Sequence, residues 1–188
     1  MPAPQLSDLG PLGALAGIWE GSKGLDVSFH NAEGEVADTP YRERVVMNAF
    51  GPVDNGEQQL FGLDYRMAAW RGSEEDPFHT EVGYWLWDAT NKQLMRCFMV
   101  PRGSVLIAGA TVEPDARTFT LAAVDGAPDY GILSNKHLLV AARTTAYEVT
   151  ITIGDDEWSY DETTHVTVAR LGRSMAHTDR NTLRRVAE

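Results

Sequence analysis

The chain has 188 residues, 43% of them hydrophobic, and this length lets a single domain bury most of its apolar surface around one core. Its 16 Lys and Arg residues against 27 Asp and Glu residues give a formal net charge of −11, which repels nucleic-acid phosphates and an anionic bilayer. We therefore predict one domain over residues 1–188 that binds neither nucleic acid nor a membrane.

Two further features predict a cytoplasmic protein. Cys97 is the only cysteine, so it cannot form an internal disulfide, and nothing argues for an oxidising compartment. The opening stretch MPAPQLSDLG has no basic region followed by a long apolar run. No later segment approaches the ~20 apolar residues that a membrane helix needs.

The first residues have a helical pattern. Leucines recur at every third position from Leu6 to Leu15, ahead of Gly17, which is typical of a short helix or of helical turns with one apolar face. We predict a helical segment within residues 1–16 and a different architecture for residues 17–188.

From Trp19 onward the chain consists of short runs with period-2 alternation, separated by turn residues such as Asp, Asn, Gly and Pro. The runs AYEVTITIG and WSYDETTHVTVAR each place bulky apolar residues on one face. These residues are Tyr147, Val149, Ile151 and Ile153 in the first run and Trp158, Tyr160, Val166 and Val168 in the second. About ten such runs predict an all-β domain.

The alternation alone does not separate a β-sandwich from a closed barrel, but one strand favours the barrel. In TEVGYWLWD both the face with Tyr84 and the face with Trp85 and Trp87 are bulky and apolar. Such a strand either packs on both sides or lines a cavity on one of them. We therefore predict a single antiparallel closed β-barrel of about ten strands, with the helical turns capping one end.

No local motif identifies a chemistry. The five histidines are too far apart for an HExxH or zinc-finger spacing. The chain also lacks a nucleophile elbow, a phosphate-binding loop, a dinucleotide fingerprint and a covalent haem-attachment motif. By itself, AHTDRNT predicts a turn in which Asp179 and Asn181 bond the local backbone, with His177 merely adjacent.

Three segments, in order along nearly the whole chain, resemble the nitrobindin family. LGALAGIWEG resembles the opening signature of that family, and the matched residues are Leu12, Leu15, Gly17, Trp19 and Gly21. AAWRGSEEDPFHTEVGYWLWD is similar to a family strand pair, with matches at Phe78, His79, Thr80, Glu81, Gly83 and Tyr84. WSYDETTHVTVARLGRSMAHTDRNTLRRV resembles the closing strands, and in it His177 falls on a loop histidine that precedes the final strand.

The resemblance implies a barrel of roughly ten strands, like those of lipocalins and fatty-acid-binding proteins, with ferric haem b in one mouth. It makes His177 the proximal iron ligand, with Phe78 and His79 on the other face of the haem. The remaining expected cofactor contacts are Gly17, Trp19 and Gly21 of the opening signature, and Lys136, Arg173 and Arg180 as partners of the haem propionates. The implied activities are isomerisation of peroxynitrite to nitrate and reversible binding of nitric oxide.

A second interpretation stays open, because this chain departs from the family pattern. Gly21 is followed by Ser22 and Lys23 before the next glycine, Gly24, where the family has further alternating glycines. Glycine in a strand allows close approach of a backbone or a ligand, so the shape of the cavity differs. The alternative function is a metal-free carrier or sensor of a small apolar ligand, for which the bulky faces around Trp85 and Trp87 are equally suitable. A third alternative is an interaction domain with a filled barrel.

Overall fold

The structure is a computed structural model that describes residues 4–186 of the chain. Eleven strands make up most of it: β1 (Gly17–His30), β2 (Glu35–Asp54), β3 (Gln59–Arg71), β4 (His79–Asp88), β5 (Gln93–Val100), β6 (Ser104–Thr111), β7 (Thr118–Val124), β8 (Ile132–Ser134), β9 (Ala142–Ile153), β10 (Glu157–Val168) and β11 (Arg173–Arg185). The helical elements are 3-10 segments at Leu6–Leu15 and Ala169–Leu171 and one short α-helix, α1 (Lys136–Ala141). None of the helices within residues 4–186 has the length and apolar character required to cross a membrane.

The strands form a closed antiparallel barrel. They pair in the order β5-β4-β3-β2-β1-β11-β10-β9-β7-β6, and the additional pairing of β5 with β6 closes a ring of ten strands. The short strand β8 pairs with β6 at Ser104 to Leu106 and adds an eleventh strand. The prediction of an all-β closed barrel of about ten strands is therefore confirmed.

The N-terminal 3-10 segment closes one end of the barrel, as predicted for the helical turns. Its side chains Leu9, Leu12 and Leu15 are fully buried, each with 0% exposure. The indole of Trp19, at the start of β1, donates a hydrogen bond of 2.7 Å to the Leu15 carbonyl. The segment is 3-10 and not α-helical because Gly10 has a positive φ of 53° and Pro11 follows it. We call this the closed end.

The predicted alternation agrees with the strand faces. Tyr147, Val149, Ile151 and Ile153 of β9 are all buried inside the barrel. On β4, Trp85 and Trp87 are 1% exposed inside the barrel, whereas Tyr84 faces outward and is 51% exposed. The bulky residues on this strand therefore belong to two environments, an internal wall and an outer apolar surface.

The wall of the barrel has a seam between β6 and β7. Within the described chain, Gly109 and Ala122 are the register partners that join these two strands. The segment between β7 and α1 lies beside the seam, where the Ile107 N–H donates to the Gly131 carbonyl. The ring of Tyr130 packs over Gly109, at 2.3 Å from where a Cβ atom of that residue would be.

Gly83, a residue of the family pattern, is required by the spacing between β4 and β5. A Cβ atom at this position would lie 2.1 Å from the Cys97 carbonyl oxygen, a backbone atom that cannot move alone. We expect Gly83→Ala to lower the free energy of unfolding by about 1–3 kcal/mol in urea denaturation, because overpacking forces the strands apart. Thr152→Ala on the exposed face of β9 is the control, with an expected change within about 0.5 kcal/mol. Equal stability of the two variants would contradict this account.

Candidate functional site

An internal cavity of about 600 Å³ lies between the closed end and the opposite, open end of the barrel. We call this open end the mouth. The β1–β2, β3–β4, β5–β6 and β10–β11 turns surround it. Much of the cavity wall is apolar, and its apolar residues include Val45, Met67, Phe98, Leu106, Ile132 and Met175. A volume of this size and a largely apolar wall are typical of small-molecule sites.

Helix α1 and several arginines lie at the mouth. Asn135 caps α1, since its side-chain oxygen accepts hydrogen bonds from the backbone N–H groups of His137 (2.8 Å) and Leu138 (3.1 Å). Both His137 and Leu138 line the cavity. The arginines that line the mouth are Arg71, Arg102 and Arg170, and Arg71 lies 4.4 Å from the centre of the Phe78 ring.

Deeper in the cavity, Arg96 of β5 lies at the centre of a buried ion cluster. Its guanidinium donates hydrogen bonds to Glu81 at 2.7 Å and to Glu162 at 2.8 Å. Tyr147 donates to Glu162 at 2.6 Å and Tyr65 donates to Glu81 at 2.9 Å. We call these five residues the arginine cluster.

The two carboxylates of the arginine cluster differ in their proton affinity. Burial works to raise the pKa of Glu81, but the charge of Arg96 and the contact with His79 lower it to about 2. Burial raises the pKa of Glu162 above its ordinary value, against the opposing effect of Arg96. Glu81 is therefore the permanent counter-ion of Arg96, because its charge is stabilised over the whole physiological range.

A second polar group surrounds Glu43 of β2, which is 4% exposed. One oxygen of Glu43 accepts hydrogen bonds from the Tyr160 hydroxyl (2.8 Å) and the Asn181 amide (2.9 Å). Burial raises the pKa of Glu43 to about 7, against these hydrogen bonds, which lower it. The carboxyl group therefore changes protonation near neutral pH.

His177 belongs to a third polar group, and its location corrects the sequence analysis. It lies inside strand β11, between its pairings with β1 and β10, and not in a turn or in a loop before the last strand. The stretch forms a strand because both neighbours supply backbone partners, and alternate residues from Met175 through His177 and Asp179 line the cavity. The local turn chemistry of Asp179 and Asn181 is thus overridden by pairing within the barrel.

The side chain of His177 lies between two carboxylates. Its Nε2 atom is 2.6 Å from Asp26 Oδ2 and 3.0 Å from Asp179 Oδ2. Burial works to lower the pKa of His177, but the hydrogen bonds to Asp179 and Asp26 raise it to about 10. The ring is therefore an imidazolium at neutral pH. We call Asp26, His177 and Asp179 the histidine cluster.

The other residues expected to contact a cofactor divide into two sets. Phe78 and His79 line the cavity near the mouth, together with His177. Gly17 and Trp19 lie at the closed end, and Gly21 follows them on β1 with Thr182 and Asn181 packed over it. Lys136, Arg173 and Arg180 are exposed and do not line the cavity, whose mouth has Arg71, Arg102 and Arg170 instead.

Sequence reasoning missed most of the charged residues inside the barrel, although the alternation contained a signal for them. Glu43 has the same phase as the buried residues Tyr41, Val45 and Met47 of β2. Arg96 likewise lies in phase with the buried Leu94 on β5. A charged residue on the apolar face of a strand indicates a buried polar group that needs a partner.

A closed barrel with a plug at one end and a cavity that opens at the other is the architecture of ligand-binding β-barrels. The model of the THAP4-like, heme-binding beta-barrel domain matches residues 8–185, and the chain belongs to this family. The crystal structure of Rv2717c from M. tuberculosis is similar over 100% of both chains, with a TM-score of 0.69 and 21% sequence identity. Among curated proteins, none matches this chain.

The family implies haem, and the contacts of His177 allow a test of whether the residues fit it. An axial histidine must be neutral, with a lone pair free on one nitrogen. Two carboxylate oxygens lie within 3.0 Å of the Nε2 atom of His177, and their hydrogen bonds raise the pKa of the ring and favour a proton on it. The Nε2 atom of His79 is also engaged by a carboxylate, since it lies 3.3 Å from Glu81 Oε1. This contact raises the pKa of His79, although burial works to lower it. The Nε2 atoms of both histidines therefore face carboxylates, and iron could reach Nε2 of His177 only by displacing Asp26 and Asp179.

Proposed function

We propose that this protein binds an amphipathic small molecule in the cavity of the barrel, without a bond between iron and His177. The observation that carries the proposal is the composition of the wall. Apolar side chains surround a volume of about 600 Å³, while most of the polar groups are gathered in hydrogen-bonded clusters. Among the described residues of the wall, Trp85 Nε1, Trp158 Nε1 and Arg96 Nε are buried donors without a partner. An apolar body can fill the space, and hydrogen-bonding groups can orient it.

The inner wall also indicates which end of the ligand enters first. It carries the carboxylates Asp26, Glu43, Glu81, Glu162 and Asp179, whereas the mouth carries Arg71, Arg102 and Arg170. A ligand with a neutral or hydrogen-bond-donating inner end and an acidic outer end complements both regions. A free fatty acid with its carboxylate inward is disfavoured, because Arg96 is already bonded to Glu81 and Glu162.

A binding experiment with two matched variants tests this proposal. The probe is 1-anilinonaphthalene-8-sulfonate, and Trp85 and Trp158 on the cavity wall supply intrinsic fluorescence. Ala69 of β3 lines the cavity, whereas its neighbour Ala68 does not, so Ala69→Phe removes ligand space and Ala68→Phe is the control. We expect one-to-one binding by the wild type and the control, and an affinity lower by about tenfold or more in Ala69→Phe, since the added ring occupies the site.

Equal affinity in both variants would exclude the cavity as the binding site. Thermal unfolding of each variant is recorded in parallel. A variant that binds the probe only because its fold is loosened would lack a cooperative unfolding transition.

Haem b with His177 on iron, together with peroxynitrite isomerisation and nitric oxide binding, is the second candidate. The family and the three arginines at the mouth favour it, because guanidinium groups suit the propionates of haem. It requires His177 to lose its proton and to leave Asp26 and Asp179. We expect ferric haem and metal-free protoporphyrin IX to bind with similar affinity, and His177→Ala to leave the Soret band unchanged. A weaker, shifted Soret band in His177→Ala would instead establish His177 as the iron ligand and overturn the first candidate.

A further inference from the structure

We propose that Asp26, His177 and Asp179 form a site for a divalent transition-metal cation, with Zn²⁺ or Mn²⁺ bound directly by the side chains and without a porphyrin. This site lies in the wall of the same cavity, but the inference does not rest on the binding of the proposed amphipathic ligand. Asp26 lies 151 positions from His177 in the sequence, and the pairing of the first and last strands of the barrel brings it beside His177 and Asp179.

The backbone fixes the relative positions of these side chains. Asp26 and Asp179 are direct register partners between β1 and β11. His177 is two residues from Asp179 on the same strand, so both side chains lie on the same face. Because two paired strands hold all three residues, the cluster is part of the barrel wall and not of a mobile loop.

The ligand atoms converge as a metal site requires. One atom from each residue lies within 4.8 Å of the other two, and the two distances from His177 Nε2 to the carboxylates are 2.6 Å and 3.0 Å. A cation bound to nitrogen and oxygen at about 2.0–2.2 Å holds such atoms roughly 3 Å apart, so small outward shifts suffice. The cation would take the place of the proton on His177 Nε2 and release it, and Asp26 and Asp179, which now accept that proton's hydrogen bonds, would stay as co-ligands. One imidazole and two carboxylates form a ligand set that suits Zn²⁺ and Mn²⁺.

An outer partner already orients one of these ligands. The Ser28 hydroxyl donates a hydrogen bond of 2.6 Å to Asp26 Oδ1, which leaves Oδ2 directed toward His177. Hydrogen bonds of this kind to the second oxygen of a ligating carboxylate are usual in metal sites. Asp26 is 5% exposed, whereas Asp179 and His177 are partly accessible and line the cavity. A bound cation would therefore offer its remaining coordination positions to the cavity.

Charge on the surrounding wall favours a cation as well. Glu43, Glu81 and Glu162 line the same cavity. Arg96 neutralises part of this charge through Glu81 and Glu162. A divalent cation beside Asp26 and Asp179 would lower the mutual repulsion of the buried carboxylates.

Calorimetric titration of the chelator-treated full chain with Zn²⁺ tests the proposal. We expect one-to-one binding by the wild type, and an affinity lower by at least about 10–100-fold in Asp26→Asn, Asp179→Asn and His177→Ala. Ser28→Ala keeps all three ligands and should still weaken binding about tenfold, as removal of an outer partner does. The control is the double variant Asp161→Asn/His165→Ala, which removes an acid and a histidine from the exposed face of β10.

The proposal is overturned if the wild type takes up no stoichiometric Zn²⁺, or if Asp26→Asn binds Zn²⁺ as tightly as the wild type does. The titration of the wild type with Zn²⁺ tests the proposal even if one of the variants fails to fold. Zn²⁺ should shift the ring NMR signals of His177 and leave those of His165 in place. Equal shifts of both histidines would mean that Zn²⁺ binds the acidic surface without this site.

Discussion

Replacing Arg96 with methionine should lower the free energy of unfolding by about 3–5 kcal/mol, because it leaves two buried carboxylates without their cation. Methionine keeps much of the side-chain volume, so the change removes charge more than packing. The guanidinium also lies 4.5 Å from the centre of the Phe98 ring and 5.2 Å from that of Trp85, and these contacts are lost with the charge. Urea denaturation at pH 7 measures the change.

Two further variants separate this charge effect from a general packing defect. Arg66→Met removes an exposed arginine from the outer face of β3 and should change stability by no more than about 0.5 kcal/mol. The triple variant Arg96→Met/Glu81→Gln/Glu162→Gln should recover most of the loss, because neutral amides need no counter-ion. If the triple variant is as unstable as Arg96→Met, the loss comes from packing and not from unpaired charge.

Replacing Glu43 with glutamine should stabilise the protein by up to about 3 kcal/mol at pH 8 and hardly at all at pH 4.5. The pKa of Glu43 is raised by burial to about 7 from an ordinary value of 4.5. The folded state therefore holds a proton that the unfolded state has released between these values, and stability falls as the pH rises through this interval. Glutamine resembles the protonated acid and can still accept the hydrogen bonds from Tyr160 and Asn181.

Guanidinium-induced unfolding at pH 4.5, 6 and 8 measures this effect, with Glu35→Gln on the exposed start of β2 as the control. The difference between Glu43→Gln and the wild type should grow between pH 4.5 and 7 and then stay constant. A difference that is the same at all three pH values, or that has the opposite sign at pH 8, would show that Glu43 is not held in its protonated form.

The fold could be predicted from the sequence because its strand pattern is regular over most of the chain. The period-2 alternation of β9 and β10 identified the buried faces correctly. Of the leucines at every third position, Leu9, Leu12 and Leu15 form the plug of the closed end, whereas Leu6 is 58% exposed. Such patterns report burial directly, since a side chain on a strand faces either the interior or the outside.

The site was harder to predict because it depends on partners from distant strands. His177 was placed in a turn on the basis of Asp179 and Asn181, two residues whose side chains also bond locally in turns. In the barrel, Asp179 contacts His177 and Asn181 donates to Glu43, which lies 138 positions away in sequence. The conformational preference of a short segment cannot reveal such a distant partner. The charged residues that alternate in phase with the apolar faces of β2 and β5 could have indicated that buried polar partners exist.

The seam between β6 and β7 makes the resistance of the barrel wall to widening unequal around the ring. Elsewhere in the ring, widening the barrel would require the breaking of extended backbone ladders such as that between β10 and β11. At the seam, one register pair and the ring of Tyr130 hold the two strands together. Widening the barrel along this line would therefore break fewer backbone hydrogen bonds than widening it anywhere along the β10–β11 ladder.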